Sequence, residues 1–378
     1  MTVVARPRPT VIDLFAGVGG MSLGAARAGF DVRAAVELDP IAVATHAVNF
    51  PTSRHFNWDV GSMSGGKLLG AAGIDPDRLD GLVGGPPCQG FSEIGKKDVD
   101  DPRNSLFGHF FRLVAEIKPK FFVAENVPGI GADRNSKIVE KALALIPPGY
   151  KVLPATEVPA SKLGAPTTRA RMFFIGYDPS RMSALTVDTV FKATAGRKVT
   201  VGEALAGLPT IRSDWQREDQ GWRTVETDFD EEDYFYSRLF RNVPQGVGSA
   251  SAIKRLRELC EVSGNLGTRH TDDVVRRFRA VRPGATDAIS RATRLVEDGF
   301  CPTLRAGTAS DRGSFQAVRP IHHKSARVIS PREAARLQGF PDWFQFHATK
   351  WHSFRQIGNS VSPFVAEALL HRIYGKLS

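Results

Sequence analysis

The stretch Gly84-Gly85-Pro86-Pro87-Cys88-Gln89-Gly90-Phe91-Ser92 holds the side chain best suited to covalent chemistry. An apolar run, Leu79 to Val83, reads as a short buried strand. Two glycines and two prolines then force an irregular turn, and Cys88 sits on it. A thiol on a rigid turn at the carboxyl end of a strand is placed to act as a nucleophile in an α/β enzyme. The competing reading is a buried structural cysteine, which the surrounding prolines and glycines disfavour. Glu125 repeats the arrangement: Phe121-Phe122-Val123-Ala124 is a buried strand, and Glu125-Asn126-Val127-Pro128-Gly129 comes next at its tip. A carboxyl there can protonate or hydrogen-bond a ring nitrogen, or be no more than a loop acid. Adjacent strand tips would bring Cys88 and Glu125 to one crevice. Arg169 and Arg171 stand one residue apart just before a strand expected over Met172 to Tyr177, so they share a face. Such a pair suits gripping a phosphate or holding a carboxylate, although arginines beside a strand are common.

A second set of residues suits a nucleotide-like ligand. Val11 to Phe15 is apolar except for Asp13 and reads as the first strand. Ala16-Gly17-Val18-Gly19-Gly20 then runs into an alanine-rich helix ending near Gly29. Strand, glycine-rich turn and helix open a nucleotide-binding unit, and the glycines let backbone approach a ligand. The next strand, Val32 to Val36, ends in Glu37, about twenty residues past the loop, where an acid can accept from ribose hydroxyls. Together these features favour an adenosine-type cofactor over a mere tight turn. Asp59, after a third strand over Arg54 to Phe56, reads equally as an acceptor for an adenine amine or as a turn aspartate.

The elements around these residues alternate strand and helix. Pro40 opens a helix running to about Asn49, and residues 61–78 form a connection with a short helix. Residues 93–105 are polar and read as a mobile loop after Cys88, a lid or an ordinary surface loop. Helices are expected over Leu106 to Ile117 and 137–146, with extended chain over 151–158. From 178 to 320 long apolar strands are scarce. Residues 251–320 carry 13 Lys/Arg against 8 Asp/Glu, and Thr303-Leu304-Arg305 lies in a Gly-, Thr- and Arg-rich cluster. This reads as a separate lobe with loops facing nucleic acid, or as a solvated basic face. Ser330, Pro331 and Glu333 form a capping box for a helix over 330–340. Gln356 to Pro363 leads into a last helix to about Tyr374, with Asn359 as a candidate cap.

Composition narrows the classes. A chain of 378 residues with 42% apolar content allows one large domain or two ordinary ones. Three cysteines, Cys88, Cys260 and Cys301, are too few and too scattered for a disulfide framework or a zinc site, which suits a reducing compartment. The N-terminus has no apolar region of signal-peptide length and no run reaches membrane-spanning length, so a cytoplasmic place is expected. The formal charge of +10 suits a polyanionic partner.

With these segments in order, the chain resembles the C5-cytosine DNA methyltransferases. Asp13-Leu14-Phe15-Ala16-Gly17-Val18-Gly19-Gly20 resembles the family's cofactor loop, Pro86-Pro87-Cys88-Gln89 its catalytic loop and Glu125-Asn126-Val127 its acid segment. Arg169-x-Arg171, Arg332 to Pro341 and Gly358-Asn359-Ser360-Val361 are similar to its later motifs. Thr167 departs from the glutamine the family often carries before the paired arginines. The resemblance implies an α/β fold: a doubly wound, mostly parallel, Rossmann-like sheet with a smaller target-recognition domain. The large domain would be 1–185 plus 325–378 and the smaller one 186–324, with the C-terminal helix packed back on the N-terminal part. It implies methyl transfer from S-adenosylmethionine to C5 of a flipped cytosine in double-stranded DNA, with Cys88 adding to C6. Glu125 would hold and protonate N3, Arg171 would orient the ring and Arg169 would support the catalytic loop or its phosphate contacts. Cofactor contacts would be Phe15, Gly17, Gly19, Glu37, Leu38, Asp59, Val60, Pro87, Leu106, Asn359 and Ser360. DNA contacts would be Gln89, Ser92, Arg103, Thr303, Leu304 and Arg305. No metal is implied, a monomer is expected, and a restriction endonuclease for the same site is an open partner. One branch of the family acts on tRNA and carries a Cys-Phe-Thr signature, where Phe300-Cys301-Pro302-Thr303 stands here. A catalytically silent DNA-binding relative is the third reading, against which the intact Cys88, Glu125 and Arg171 weigh.

Overall fold

The computed structural model describes residues 7–87, 104–193, 198–211, 220–230, 233–306 and 318–377. Its centre is an eight-stranded sheet: β1 Thr10–Leu14, β2 Asp31–Val36, β3 Arg54–Phe56, β4 Gly81–Gly84, β5 Phe121–Asn126, β6 Lys151–Val152, β7 Thr156–Pro159 and β8 Ala170–Tyr177. The order is β3-β2-β1-β4-β5-β8-β6, with β7 also paired to β8. The first five strands are parallel, and β8 runs antiparallel to β5, β6 and β7. The order reverses at the β1/β4 boundary, and in such sheets ligands bind where the carboxyl ends part.

Alternation along the strands sends side chains to two faces. Val11, Val32, Val83, Phe121, Val123 and Phe173 join one core cluster, while Ile12, Leu14, Ala34, Val36, Leu82, Phe122 and Phe174 join the other. Helix α1, Gly20–Arg27, covers the first face. Helices α3, Gly65–Ala72, α4, Asn104–Ile117, and α5, Ser136–Leu143, cover the second, where Phe107, Phe110 and Phe111 are fully buried. Helix α2, Pro40–Asn49, comes after β2, with Asp39 as its N-cap.

Three strands differ from expectation: β5 runs through Glu125 to Asn126 instead of stopping at Ala124, and β4 and β8 are also displaced. β4 spans Gly81–Gly84, not Leu79 to Val83, because both glycines answer to close approach. A Cβ on Gly81 would lie 2.3 Å from the Phe121 ring, and one on Gly84 would lie 2.3 Å from the Leu14 carbonyl oxygen. β8 begins at Ala170, so Arg171 lies inside the strand rather than before it.

Past Tyr177 the chain is mostly short helices and loops, and the first core cluster continues into it through Leu205, Phe235, Leu239 and Leu295. Helices α6, Ala250–Leu259, and α7, Asp272–Ala280, belong to this part. A small core of Phe278, Ala292 and Ile321 lies under α7. Helix α8, Pro331–Gln338, has the expected capping box: Ser330 accepts from the Glu333 amide at 3.2 Å, and Glu333 accepts from the Ser330 amide at 2.7 Å.

Helix α9, Lys350–Asn359, has no counterpart among the helices expected from the sequence. Asn359 closes it and does not cap the next helix; that N-cap is Ser362, ahead of α10, Pro363–Tyr374. α10 packs against α1 so tightly that a Cβ on Gly24 would lie 2.3 Å from the Ala366 Cβ. Among the described residues no helix is long and apolar enough to cross a membrane.

Candidate active site

A cavity of about 770 Å³ opens at the carboxyl ends of β1, β2, β4 and β5. Each strand supplies the wall from its own carboxyl tip: Phe15 to Val18 after β1, Glu37 to Asp39 after β2, Gly85 to Pro87 after β4, and Glu125 to Val127 at the end of β5. Arg169 and Arg171 from the β8 side, Leu106 of α4 and residues of the segment from Gln356 to Val361 close it.

At one end stands an ion pair. Arg171 Nε lies 2.6 Å from Glu125 Oε1, and both side chains are nearly buried. A second guanidinium hydrogen, on Arg171 Nη1, is donated to the Ala170 carbonyl at 2.7 Å, which fixes the plane of the fork. A Cβ on Gly85 would come within 3.0 Å of Glu125 Oε2, so the turn after β4 passes directly over the carboxylate. Asn126 ties turn to strand: its amide donates to the Pro86 carbonyl at 3.4 Å and its oxygen accepts from the Val127 amide at 2.8 Å. Cys88, Gln89, Ser92 and Arg103 lie outside the described residues. Pro87, the last described residue before them, lines the cavity.

Arg169 is 3% exposed, and among the described residues it faces no carboxylate within ion-pair distance. Its Nη1 donates to the Leu304 carbonyl at 3.1 Å, and its Nε is buried without a partner among the described residues. Burial, reinforced by the Arg171 charge and opposed by Glu125, pulls its pKa well below the usual guanidinium value. Thr167, where the family often has glutamine, is fully buried and bridges backbone to backbone. Its hydroxyl donates to the Cys301 carbonyl at 3.0 Å and accepts from the Arg169 amide at 3.2 Å.

The other end is shaped for an elongated, partly apolar ligand. Phe15 holds a left-handed backbone, φ 56°, a costly state for a bulky residue that a site can retain. Gly17 has φ +55° and open space where a Cβ would go. Glu37 is pinned by backbone: Oε2 accepts from the Gly17 amide at 2.9 Å and Oε1 from the Asp39 amide at 2.8 Å. Each oxygen keeps a further lone pair, and Glu37 lines the cavity. Leu38, 64% exposed, and Trp58 offer apolar surface on the rim. Asp59 does both things left open for it: it lines the cavity, and its Oδ1 accepts from the Gly61 amide at 2.8 Å in an aspartate turn. Val60, Leu106, Asn359 and Ser360 also line the cavity.

Two of the expected site residues sit differently from the rest. Gly19 is absent from the cavity wall; a Cβ there would lie 2.3 Å from the Phe50 ring, so its glycine serves packing. Leu304 is 5% exposed in the main core, so its side chain does not face a DNA partner, whereas Thr303 and Arg305 are exposed.

Sequence reasoning also passed over Asp13. It is fully buried, lines the cavity, and leaves Oδ1 without a partner among the described residues. Its Oδ2 accepts from Ser22 Oγ at 2.6 Å. Ser22 Oγ lies 3.0 Å from His46 Nε2, and His46 Nδ1 lies 2.9 Å from His55 Nε2. One set of tautomers satisfies the row: His55 donates to His46, His46 to Ser22 and Ser22 to Asp13. Burial pushes the Asp13 carboxyl up to about 7 against the Ser22 hydrogen bonds, with the Glu37 charge adding to the rise. Burial also holds His46 neutral, its pKa well below the usual value, with the His55 charge acting in the same direction. The signal in the sequence was a single charge inside the apolar run Val11 to Phe15.

Comparison with known proteins agrees with this geometry. The model of the C-5 cytosine-specific DNA methylase family matches residues 9–375. The type II methyltransferase M.XorII of Xanthomonas oryzae pv. oryzae is 41% identical over 364 residues, 96% of this chain and 84% of that protein. The type II methyltransferase M.DdeI of Desulfomicrobium norvegicum is 31% identical over 96% of this chain and 88% of its own. A crystal structure of an E. coli protein assigned as a DNA modification methyltransferase encoded within a prophage superposes with a TM-score of 0.87 at 49% identity, covering 97% of this chain and 99% of that one. The Dnmt2 methyltransferase of S. pombe shares the fold, with a TM-score of 0.60 at 17% identity and coverage of 97% and 98%. A switch-point cavity walled by Glu125 and Arg171 is thus no isolated resemblance, and the chain is a methyl-transferring enzyme that belongs to the C-5 cytosine-specific DNA methylase family.

Proposed function

We propose that this protein transfers a methyl group from S-adenosylmethionine to C5 of a cytosine swung out of duplex DNA, through a transient bond between Cys88 and C6. The observation that carries the reading is the continuity of one cavity from the Phe15–Gly17 loop to the Glu125–Arg171 pair. The chain's residues fit the cofactor. Glu37 keeps acceptor capacity for hydroxyls, and Leu38 and Trp58 supply apolar surface for a base. Bound S-adenosylmethionine would supply an electrophilic methyl group on a sulfonium.

Cytosine C5 is a weak nucleophile until the ring loses its aromatic character. The Cys88 thiolate would add to C6, and Glu125 would place a proton on N3, leaving C5 enamine-like and able to attack the methyl. Arg171 keeps the Glu125 carboxylate aimed and would meet the ring carbonyl with its remaining N–H groups. Water would take the C5 proton as the Cys88 thiolate leaves C6 with the C–S electron pair, which restores the aromatic ring, and N3 would return its proton to Glu125. The base must leave the stack because C5 is out of reach inside a duplex. Residues 89–105 are proposed to close over it. Residues 1–185 plus 325–378 would form the catalytic and cofactor-binding part, and 186–324 the target-recognition part. Thr303 and Arg305, with Gln89, Ser92 and Arg103, are proposed on the DNA side. The relatives named type II methyltransferases support a role as the modification partner of a restriction endonuclease.

The test is expression in a host without cytosine methylation, with sequencing of the modified cytosines. Methyl groups at C5 within one short sequence are expected; unmodified cytosines in the presence of folded protein would overturn the reading.

A further inference from the structure

Between α7 and the catalytic wall the chain folds into a hairpin that the site described above does not use. The Gly284 amide donates to the Arg294 carbonyl at 2.9 Å, the Arg294 amide to Ala285 at 2.9 Å, and the Asp287 amide to Ala292 at 2.9 Å. Thr286 and Thr293 face each other across it, hydroxyl to hydroxyl at 3.0 Å. The tip is locked from within. Asp287, 2% exposed, accepts from the Ser290 amide and hydroxyl, both at 2.6 Å, and from Arg277 Nε of α7 at 2.7 Å. At the base, Arg294 donates to the carbonyls of His323 at 3.0 Å and Phe278 at 3.1 Å.

This rigid frame presents two side chains with nothing to hold them. Ile289 is 67% exposed, more than any other large apolar residue among those described. Arg291 is exposed at a left-handed φ of 61° and makes no ion pair or hydrogen bond through its guanidinium with any described residue. A non-glycine residue kept in that conformation costs energy, and such strain persists where the surrounding structure over-determines it. The setting is strongly cationic: Arg269 to Arg294 holds seven arginines against three aspartates. Of those three, Asp273 pairs with Arg276 and Asp287 is consumed inside the tip.

We infer that the tip Asp287–Ala292 enters a groove of the target duplex, with Arg291 reading a base edge and Ile289 making the apolar contact beside it. The inference rests on the methyltransferase reading and adds the element that selects the site. The major groove admits a two-stranded β-ribbon, an arginine fork matches the O6 and N7 acceptors of guanine, and an aliphatic side chain matches the thymine methyl. The hairpin is also joined through the chain to the catalytic wall. Its outgoing arm reaches the catalytic wall at Cys301, whose carbonyl accepts from the Thr168 amide at 2.9 Å, next to Arg169 at the edge of β8. Cys301 lies seven positions past Arg294, at most about 25 Å of extended chain.

The test compares wild type, Arg291→Ala, Arg291→Lys and an Ile289→Ala/Arg291→Ala double variant expressed in a host without cytosine methylation. Modified cytosines are sequenced, and kcat/KM is measured on synthetic duplexes carrying the wild-type site or single-base changes in it. Arg291→Ala should lose roughly ten- to a hundredfold in kcat/KM at the wild-type site and relax the preference at one base pair. Arg291→Lys should keep the salt dependence of DNA binding while still relaxing that base pair, because it retains the charge without the fork. S-adenosylmethionine binding and thermal stability should match wild type in all three. Wild-type site selection and kcat/KM in the double variant would overturn the hairpin's role while leaving the methyltransferase reading intact. Unmodified cytosines with the wild-type protein itself would overturn that reading, and this one with it.

Discussion

Replacing Asp13 with asparagine should flatten the dependence of stability on pH. Asp13 is fully buried, and burial pushes its pKa up to about 7. The unfolded chain titrates near 3.8, the ordinary value. A raised carboxyl pKa means that the folded protein holds a proton the unfolded chain has lost. Folding stability therefore falls as pH rises through the window from about 4 to about 7, then levels off. Between pH 5 and pH 8 the native state loses the benefit over about two pH units. At 1.36 kcal/mol per unit that is about 2–3 kcal/mol. For a chain of this length, with roughly 2 cal/mol/K of unfolding entropy per residue, the change is about 3 °C in Tm. The amide oxygen of the introduced asparagine can still accept from Ser22, so the row to His55 survives. The assay is Tm of wild type and Asp13→Asn across that pH range at fixed scan rate. Subtraction removes the titration of His46 and the other groups common to both. The wild-type minus variant difference should fall by about 3 °C from pH 5 to pH 8. A flat difference from pH 5 to pH 8 would show that Asp13 is ionised in the folded protein throughout that range despite its burial, and would refute the raised pKa.

The wall of the cavity supplies further tests. Cys88→Ala should abolish transfer of a labelled methyl group while cofactor binding persists, and normal turnover in that variant would remove Cys88 from the chemistry. Glu125→Gln should slow the single-turnover rate by roughly 10²–10⁴-fold, the range for a lost acid–base group; an unchanged rate would assign Glu125 to structure alone. Arg171→Ala leaves the Glu125 carboxylate nearly buried without its partner at 2.6 Å, which should cost about 3–5 kcal/mol in urea unfolding. Gly358→Ala would set a Cβ 2.5 Å from the Ala306 backbone nitrogen, so stability should fall by about 1–3 kcal/mol, with slower methyl transfer. Wild-type stability in that variant would mean that the 301–306 segment yields freely.

The features legible in the sequence are those decided within a few residues. The turn after β4, the acid at the end of β5 and the capping box of Ser330 each advertise themselves through local stereochemistry: proline fixes φ, and a hydroxyl three residues before a glutamate makes a cap. The illegible features are decided by chain arriving from elsewhere. Gly84 looks like a turn residue and is a strand residue, because the Leu14 carbonyl leaves no room for a side chain. Gly19 looks like a ligand loop and answers to Phe50. Helix α9 is short, with a polar sequence and no side-chain cap, so its face toward the cavity leaves little periodic trace. Leu304 looks like one residue of a DNA-facing cluster, yet its side chain belongs to the core and its carbonyl is the acceptor for Arg169 across 135 positions. That last contact joins the site to the lobe proposed to select its target. Arg169 is buried with a single side-chain acceptor among the described residues, and the acceptor sits on the segment leading out of the recognition lobe. A guanidinium with one hydrogen-bonded arm and a buried, unsatisfied Nε has little to lose by shifting and much to lose by being left alone. Displacement of residues 301–306 therefore moves the acceptor holding Arg169, so the cavity wall and the lobe proposed to select the target would share one mechanical element.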